Sequence, residues 1–265
     1  MATAINEHGD IVVSPERLWK YRTWDERGYA RRMIECGEIF FATVPSLNDP
    51  FEFQWREQYP TNPREQREFL EALCHRHFPY DTPRRRKQRR EGYGHDLRRV
   101  LRGHDDGICR NLGEIDWGVF CASATNSNQV MWTHYSADHS GICVGIRTRR
   151  FDKLFHRVRY RPDAPTISVW EYVNDNVKLF AELSLTKSER WAYEEEWRTL
   201  DYPGAMSSPG VVDQVVIGAR STPEVRQEVI DCVRRAGYPI AVFDARFSEA
   251  GYQMEIIPVD LLHAP

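Results

Sequence analysis

Apolar positions along this chain fall into short blocks separated by turn-forming residues, and their spacing alternates between strand-like and helix-like. Arg17 to Arg22 (RLWKYR) reads as a first strand. Ala30, Met33 and Ile34 recur at helical spacing before Gly37, which sits where a C-cap belongs. Ile39 to Thr43 (IFFAT) is a compact apolar run suited to a buried strand, and it stops at the turn formers of Val44 to Pro50. Asn62-Pro63 with Glu65 forms a capping-box signature for a helix whose apolar face is Phe69, Leu70, Leu73 and Phe78. Leu97, Val100 and Leu101 suggest another helix. Trp117 to Ala122 and Ile142 to Ile146 read as strands flanking a polar turn and a short helix, Gln129 to Ala137. Val158 to Tyr160 resembles an edge strand, Val173 to Ser184 an amphipathic helix, and Glu196 to Leu200 and Gln214 to Ile217 further strands. Thr222-Pro223 opens a helix that Gly237 closes, and Ile240 to Phe243 and Met254 to Ile257 are the last strands. This mixture predicts an α+β fold in a single domain, with a core over 14–55 and 113–260 and a helical insertion over 56–112.

Composition narrows the class. The 265 residues include 41% hydrophobic and 12% aromatic positions, too many for a disordered chain. No apolar run reaches the ~18 residues of a membrane helix. Met1 to Val13 carries Glu7 and Asp10 and lacks a basic stretch leading into a long apolar one, so no secretory signal and a cytoplasmic location are expected. The six cysteines are scattered without a C-x-x-C pair, which predicts neither a disulfide framework nor a metal site.

Charge changes the picture in one place. The net charge is −3, yet residues 84–102 carry nine basic side chains, Arg84, Arg85, Arg86, Arg89 and Arg90 among them, against Glu91 and Asp96. Such a tract suits phosphate backbones, although charge runs are commonly solvated faces.

Three stretches could carry chemistry. One runs from Ser123 through Trp132, His134 and Tyr135, where the plainer reading is a core helix with a capping His. Another is Trp191 to Arg198, WAYEEEWR. If Glu196 begins a strand, Glu194, Glu196 and Arg198 share one face, either as a solvated surface or as a carboxylate held by an ion pair. The last joins Asn48-Asp49-Pro50-Phe51-Glu52 with the upstream Lys20-Tyr21-Arg22.

In order, L-W-K-Y-R, S-L-N-D-P-F-E, M-W-T-H-Y, W-x-Y-E-x-E-W-R and V-V-I-G resemble an uncharacterised bacterial family, domain of unknown function 2971, from about Leu18 to Gly218. Cys-Ala-Ser stands where that family has Cys-Phe-Ser. The block order in turn resembles ADP-ribosyltransferases, including those that modify nucleic acid in toxin and phage-defence systems. That resemblance implies a split β-sandwich core and NAD as substrate without a metal. It implies Lys20, Tyr21, Arg22, Asn48, Ser123, Trp132 and Tyr135 around the nucleotide, with His134 and one carboxylate as catalytic groups. Glu196 is the expected carboxylate and Glu194 the runner-up. An antitoxin or immunity protein is an expected partner for such an enzyme, alongside nucleic acid on the basic segment. The alternative is a non-catalytic nucleic-acid-binding or sensor module. A third reading, hydrolysis by Cys121 or Cys143 with His134, lacks a nucleophile signature. No G-x-G-x-x-G or P-loop occurs, which argues against dehydrogenase and NTPase chemistry.

Overall fold

The computed structural model of the chain describes residues 3–5, 11–94, 117–168 and 181–260. In chain order the elements are β1 (Thr3–Ile5), β2 (Ile11–Val13), β3 (Arg17–Arg22), α1 (Tyr29–Cys36), β4 (Glu38–Thr43), β5 (Arg56–Gln58), α2 (Pro63–His77) and α3 (Pro83–Gly94). They continue with β6 (Gly118–Ser123), α4 (Gln129–Tyr135), β7 (Ile142–Arg147), β8 (His156–Arg157), β9 (Arg159–Arg161), β10 (Thr166–Ser168) and β11 (Thr186–Ser188). The last are β12 (Glu196–Asp201), β13 (Gly204–Ser207), β14 (Val212–Ile217), α5 (Pro223–Arg235), β15 (Ala241–Phe247) and β16 (Met254–Pro258). The α+β expectation holds. The expected helix at Leu97 to Leu101 lies outside the described residues, as do most of Val173–Ser184 and the basic positions Arg98, Arg99 and Arg102.

Two compact units emerge. The first comprises Met1–Pro50, Trp117–Tyr160 and Ser188–Pro265, the second Phe51–Asp116 and Arg161–Lys187. The second unit thus takes in 161–187 as well as the expected insertion. The reason is non-local: β10 pairs in parallel with β5, Ile167 opposite Glu57, and Lys187 makes a buried ion pair with Glu52 at 3.1 Å.

In the first unit, ten strands hydrogen-bond in the order β13–β4–β6–β3–β7–β14–β15–β16, with β12 on β6 and β8 on β12. Strand alternation sorts the side chains onto two faces. Leu18, Phe120, Ala122, Ile142, Val144 and Trp197 join a core with Met33 and Ile34 of α1 and Val229, Ile230 and Val233 of α5. Trp19, Tyr21, Cys143 and Val216 join a second core with Met131 and Trp132 of α4. Helix α5 is the crossover between parallel β14 and β15. Its N-cap is the expected Thr222, whose side chain accepts from the Val225 amide.

One hydrogen-bonded sheet is locally parted where β3 and β4 share an edge of β6. Strand β6 pairs with β12 along its whole length, Ser123 opposite Glu196 and Gly118 opposite Asp201. On its other edge it meets β4 only at Gly118 and Val119, and β3 only at Ser123. Residues 120–122 therefore border a gap between β3 and β4.

Candidate functional site

Beside this gap, α4 and the turn before β12 build the polar cluster of the first unit. Asn128 begins α4: its Oδ1 accepts from the Val130 and Met131 amides at 2.9 and 3.2 Å, the usual way an Asn satisfies orphan donors. The same side chain donates through Nδ2 to the Tyr193 carbonyl at 2.8 Å, so one residue starts the helix and ties it to the 3-10 turn over Glu189–Glu194.

That turn decides the roles of the two glutamates. Glu195 adopts a left-handed backbone, φ 45° and ψ 49°, between the turn and the strand. Glu196 and Arg198 share a strand face as expected, but Glu194 belongs to the turn before it. Arg198 is fully buried and grips Glu196 bidentately, Nε donating to Oε1 at 2.8 Å and Nη2 to Oε2 at 3.1 Å. Fork-to-fork pairing of this kind is a strong, geometrically specific contact. Glu194 is also buried, at 4% exposure, and its partners suit a different role. The Tyr135 hydroxyl donates to Glu194 Oε1 at 2.5 Å, and Asn48 Nδ2 donates to that hydroxyl at 2.7 Å. Because Asn48 donates, the tyrosine proton is directed at the carboxylate.

Aromatic rings stand next to it. His134 Nδ1 lies 3.2 Å from the Tyr193 hydroxyl, and the two rings are 6.1 Å apart at 71°. Trp191 and Tyr193 are 5.9 Å apart at 43°. Trp191, Tyr193 and Tyr135 are half-buried and His134 is exposed.

The expected site residues therefore divide. Asn48, His134, Tyr135 and Glu194 come together. Tyr21 and Trp132 form the floor: Trp132 is fully buried, with Tyr21 edge-on at 5.3 Å, and its indole donates to the Asn126 carbonyl. Ser123, equally buried, accepts from the Thr125 amide and shapes the turn. Trp132 and Ser123 thus hold the scaffold of the cluster. Lys20 projects from the other face of β3 into the gap, its Nζ donating to the Cys121 carbonyl at 2.6 Å and lying 5.1 Å from the Phe120 ring centroid. Burial, with the Arg22 charge beside it, pushes its ammonium down to about 8, and Glu194 and Glu196 lie within electrostatic reach. Arg22 shares the strand face of Lys20 by alternation and lies within electrostatic reach of it, of Asp25, of Cys121 and of Tyr29, and burial pushes its guanidinium down. Tyr193 and Trp191 lie in the recognised block, but their ring geometry depends on a turn that periodicity does not reveal.

Cys143 is fully buried and its thiol is pushed well up by burial, the opposite of an activated nucleophile. Among the described residues no group of three or more His, Cys, Asp or Glu side chains is placed to hold a metal ion, and no helix is long and apolar enough to cross a membrane.

The basic positions described belong to α3 in the second unit, and most are engaged inside the α2–α3 hairpin. Arg89 pairs with Asp81 at 2.6 Å and lies 3.6 Å from the Phe78 ring centroid, Arg90 pairs with Glu71 at 2.8 Å, and Arg86 lies 2.6 Å from His75 Nε2. Arg84 and Arg85 are exposed.

Residues 131–199 match the model of a family described as Protein of unknown function (DUF2971). The span runs from α4 to β12 and carries His134, Tyr135, Glu194 and Glu196, so the family resemblance holds over the candidate site. No curated protein and no solved structure matches the chain.

Proposed function

We propose that the chain is an NAD-consuming, ADP-ribosyltransferase-like enzyme in which Glu194 is the key carboxylate. The observation that carries this reading is the buried Glu194 carboxylate, fixed by Tyr135 and Asn48 beside a wall of half-buried rings. Cleavage of the nicotinamide–ribose bond sends the bonding electrons to the ring nitrogen and leaves oxocarbenium-like charge on the ribose. A preorganised carboxylate stabilises that charge without reorganising during the step. The acceptor then forms the new bond to the ribose carbon and loses its proton. Glu196 is less suited, because its carboxylate already neutralises a fully buried guanidinium.

The test is incubation with NAD and mass spectrometry of released nicotinamide and ADP-ribosyl products. Wild-type protein is expected to release nicotinamide, and Glu194→Gln to retain its fold and lose on the order of 100-fold or more. No release by folded wild-type protein, or equal release by Glu194→Gln, overturns the proposal.

A nucleic-acid acceptor, or nucleic-acid binding without catalysis, is the second reading. Exposed Arg84 and Arg85 favour it, and the internal ion pairs of Arg89 and Arg90 limit it.

A further inference from the structure

The loop that follows α4 carries an unusual backbone. Ala137, Asp138 and His139 all lie at positive φ, 49°, 51° and 70°. L residues visit that region singly and seldom in a run, because the Cβ crowds the following carbonyl. Bonds to both sides hold the run in place. The Asp138 and His139 amides donate back to the Thr133 and Trp132 carbonyls at 3.2 Å each, and the Arg220 amide donates to the His139 carbonyl at 2.9 Å. The loop is thus clamped between α4 and the segment after β14.

The His139 side chain is 7% exposed and packs against two rings, Trp132 at 6.3 Å and 10° and Phe247 at 5.2 Å and 59°. Its surroundings assign its tautomer. The Thr133 hydroxyl donates to the Gln129 carbonyl at 3.0 Å, so toward His139 Nε2, 3.1 Å away, it accepts. Nε2 therefore carries the proton and Nδ1 a lone pair. Nδ1 is buried with no hydrogen-bond partner among the described residues. The charged groups facing the ring are Arg220, from the segment after β14, and Asp138, its chain neighbour. Helix α4 contributes Thr133 and Trp132 and β15 contributes Phe247, all uncharged. A second proton would create a donor without an acceptor and place a positive charge near a guanidinium. Burial and Arg220 accordingly hold the ring below the ordinary histidine value, against the pull of Asp138.

We infer that His139 is an acid-sensitive latch: its neutral ring pins the left-handed loop against α4, and its protonation releases that loop and, with it, the Tyr135–Glu194 contact. The released loop takes up the proton at the ordinary value near 6.5, the closed loop only at lower pH. The latch is therefore closed at neutral pH and above, and weakens as pH falls through about 6.5. Release reaches the polar cluster because Trp132 and Thr133, which hold His139, immediately precede His134 and Tyr135 on the same helix. The latch acts on the frame of the cluster, so it does not depend on what the cluster turns over.

The test uses the full chain between about pH 8 and pH 5, a range that brackets the ordinary histidine titration. Nitrogen NMR of the histidine rings reads tautomer and protonation directly. His139 is expected as the Nε2–H form at neutral pH and to titrate below about 6.5. Carbon NMR of labelled tyrosine reads the Tyr135 hydroxyl, whose signal should shift together with the His139 titration. Urea unfolding then compares wild type with His139→Gln, whose side-chain amide can still donate to Thr133. One proton changes the ratio of their unfolding constants by at most about tenfold per pH unit, and a change of about threefold or more against wild type is expected from neutral pH to about pH 5. Titration of His139 at or above the ordinary value, or an Nδ1–H tautomer, overturns the latch. A ratio that does not move with pH overturns it too, as does a Tyr135 signal indifferent to the His139 titration. If His139→Gln fails to fold, the two NMR measurements on wild-type protein decide alone.

Discussion

Glu194 and Glu196 are two residues apart and both buried, yet their neighbours give them unlike work. Glu196 balances Arg198 inside the sheet, so removing its charge breaks a buried, bidentate ion pair. Glu196→Gln is therefore expected to destabilise the fold by about 3–5 kcal/mol, the usual cost of breaking a buried pair, measured by urea unfolding. A variant as stable as wild type would contradict the structural role. Tyr135→Phe is a gentler change: it removes the hydroxyl that links Asn48 to Glu194 and keeps the ring. Nicotinamide release should fall while the unfolding midpoint moves little, and unchanged release would show that Glu194 does not depend on that bond. Lys20 supplies a pH test. Its ammonium is lowered from 10.5 to about 8 by burial, so between those values the unfolded chain holds more protons at this position than the folded one. Wild-type stability relative to Lys20→Met should therefore rise as pH increases from about 8 to 10.5, and a flat difference over that window would show that Lys20 is not desolvated.

At the scale of elements, one backbone conformation separates the two glutamates. Glu195 lies at φ 45°, where a Cβ is crowded, and this residue turns the 3-10 segment into β12. Glycine accepts that region freely, whereas a β-branched side chain resists it. Glu195→Gly should cost nothing or stabilise slightly, and Glu195→Val should lower the melting temperature and disturb both Tyr135–Glu194 and Glu196–Arg198. Equal melting temperatures for the two variants would argue against backbone strain at this position. The opposite end of α4 is held by close backbone approach. A Cβ on Gly218 would sit 2.1 Å from the His139 carbonyl oxygen, and one on Gly141 2.3 Å from that of Arg22. These glycines let the loop after α4 press against β14 and β3, which sets where His134 and Tyr135 stand.

For the whole molecule, charge separates the two readings of α3. If Arg84 and Arg85 contact phosphates, RNA or DNA binding should weaken with salt, and each lost contact should reduce the log–log slope by about 0.7 to 0.9. Changing Arg84, Arg85, Arg86, Arg89 and Arg90 to Gln tests the tract. Changing Arg84 and Arg85 alone should produce most of the effect, since Arg89 and Arg90 already have carboxylate partners. An unchanged slope would make α3 a solvated helix whose ion pairs serve the hairpin. What was legible in the sequence follows from local physics. Apolar spacing, the Asn62 and Thr222 caps, and the crowding of polar and aromatic residues at Asn48, His134–Tyr135 and Trp191–Arg198 determined the main elements and the candidate blocks. Tertiary structure decided the rest, because it turned on partners distant along the chain or on the precise path of one turn. Periodicity showed that Glu196 and Arg198 would share a face but not that the pair would be sealed from water. It placed Lys20 and Arg22 beside Tyr21 without showing that β3 pairs with β7 and packs α4 against its Trp19–Tyr21 face. It listed Trp191 and Tyr193 as aromatic residues, whereas the left-handed Glu195 and the Asn128 tether set the turn that brings Tyr193 against His134, since a ring's orientation depends on the backbone that carries it.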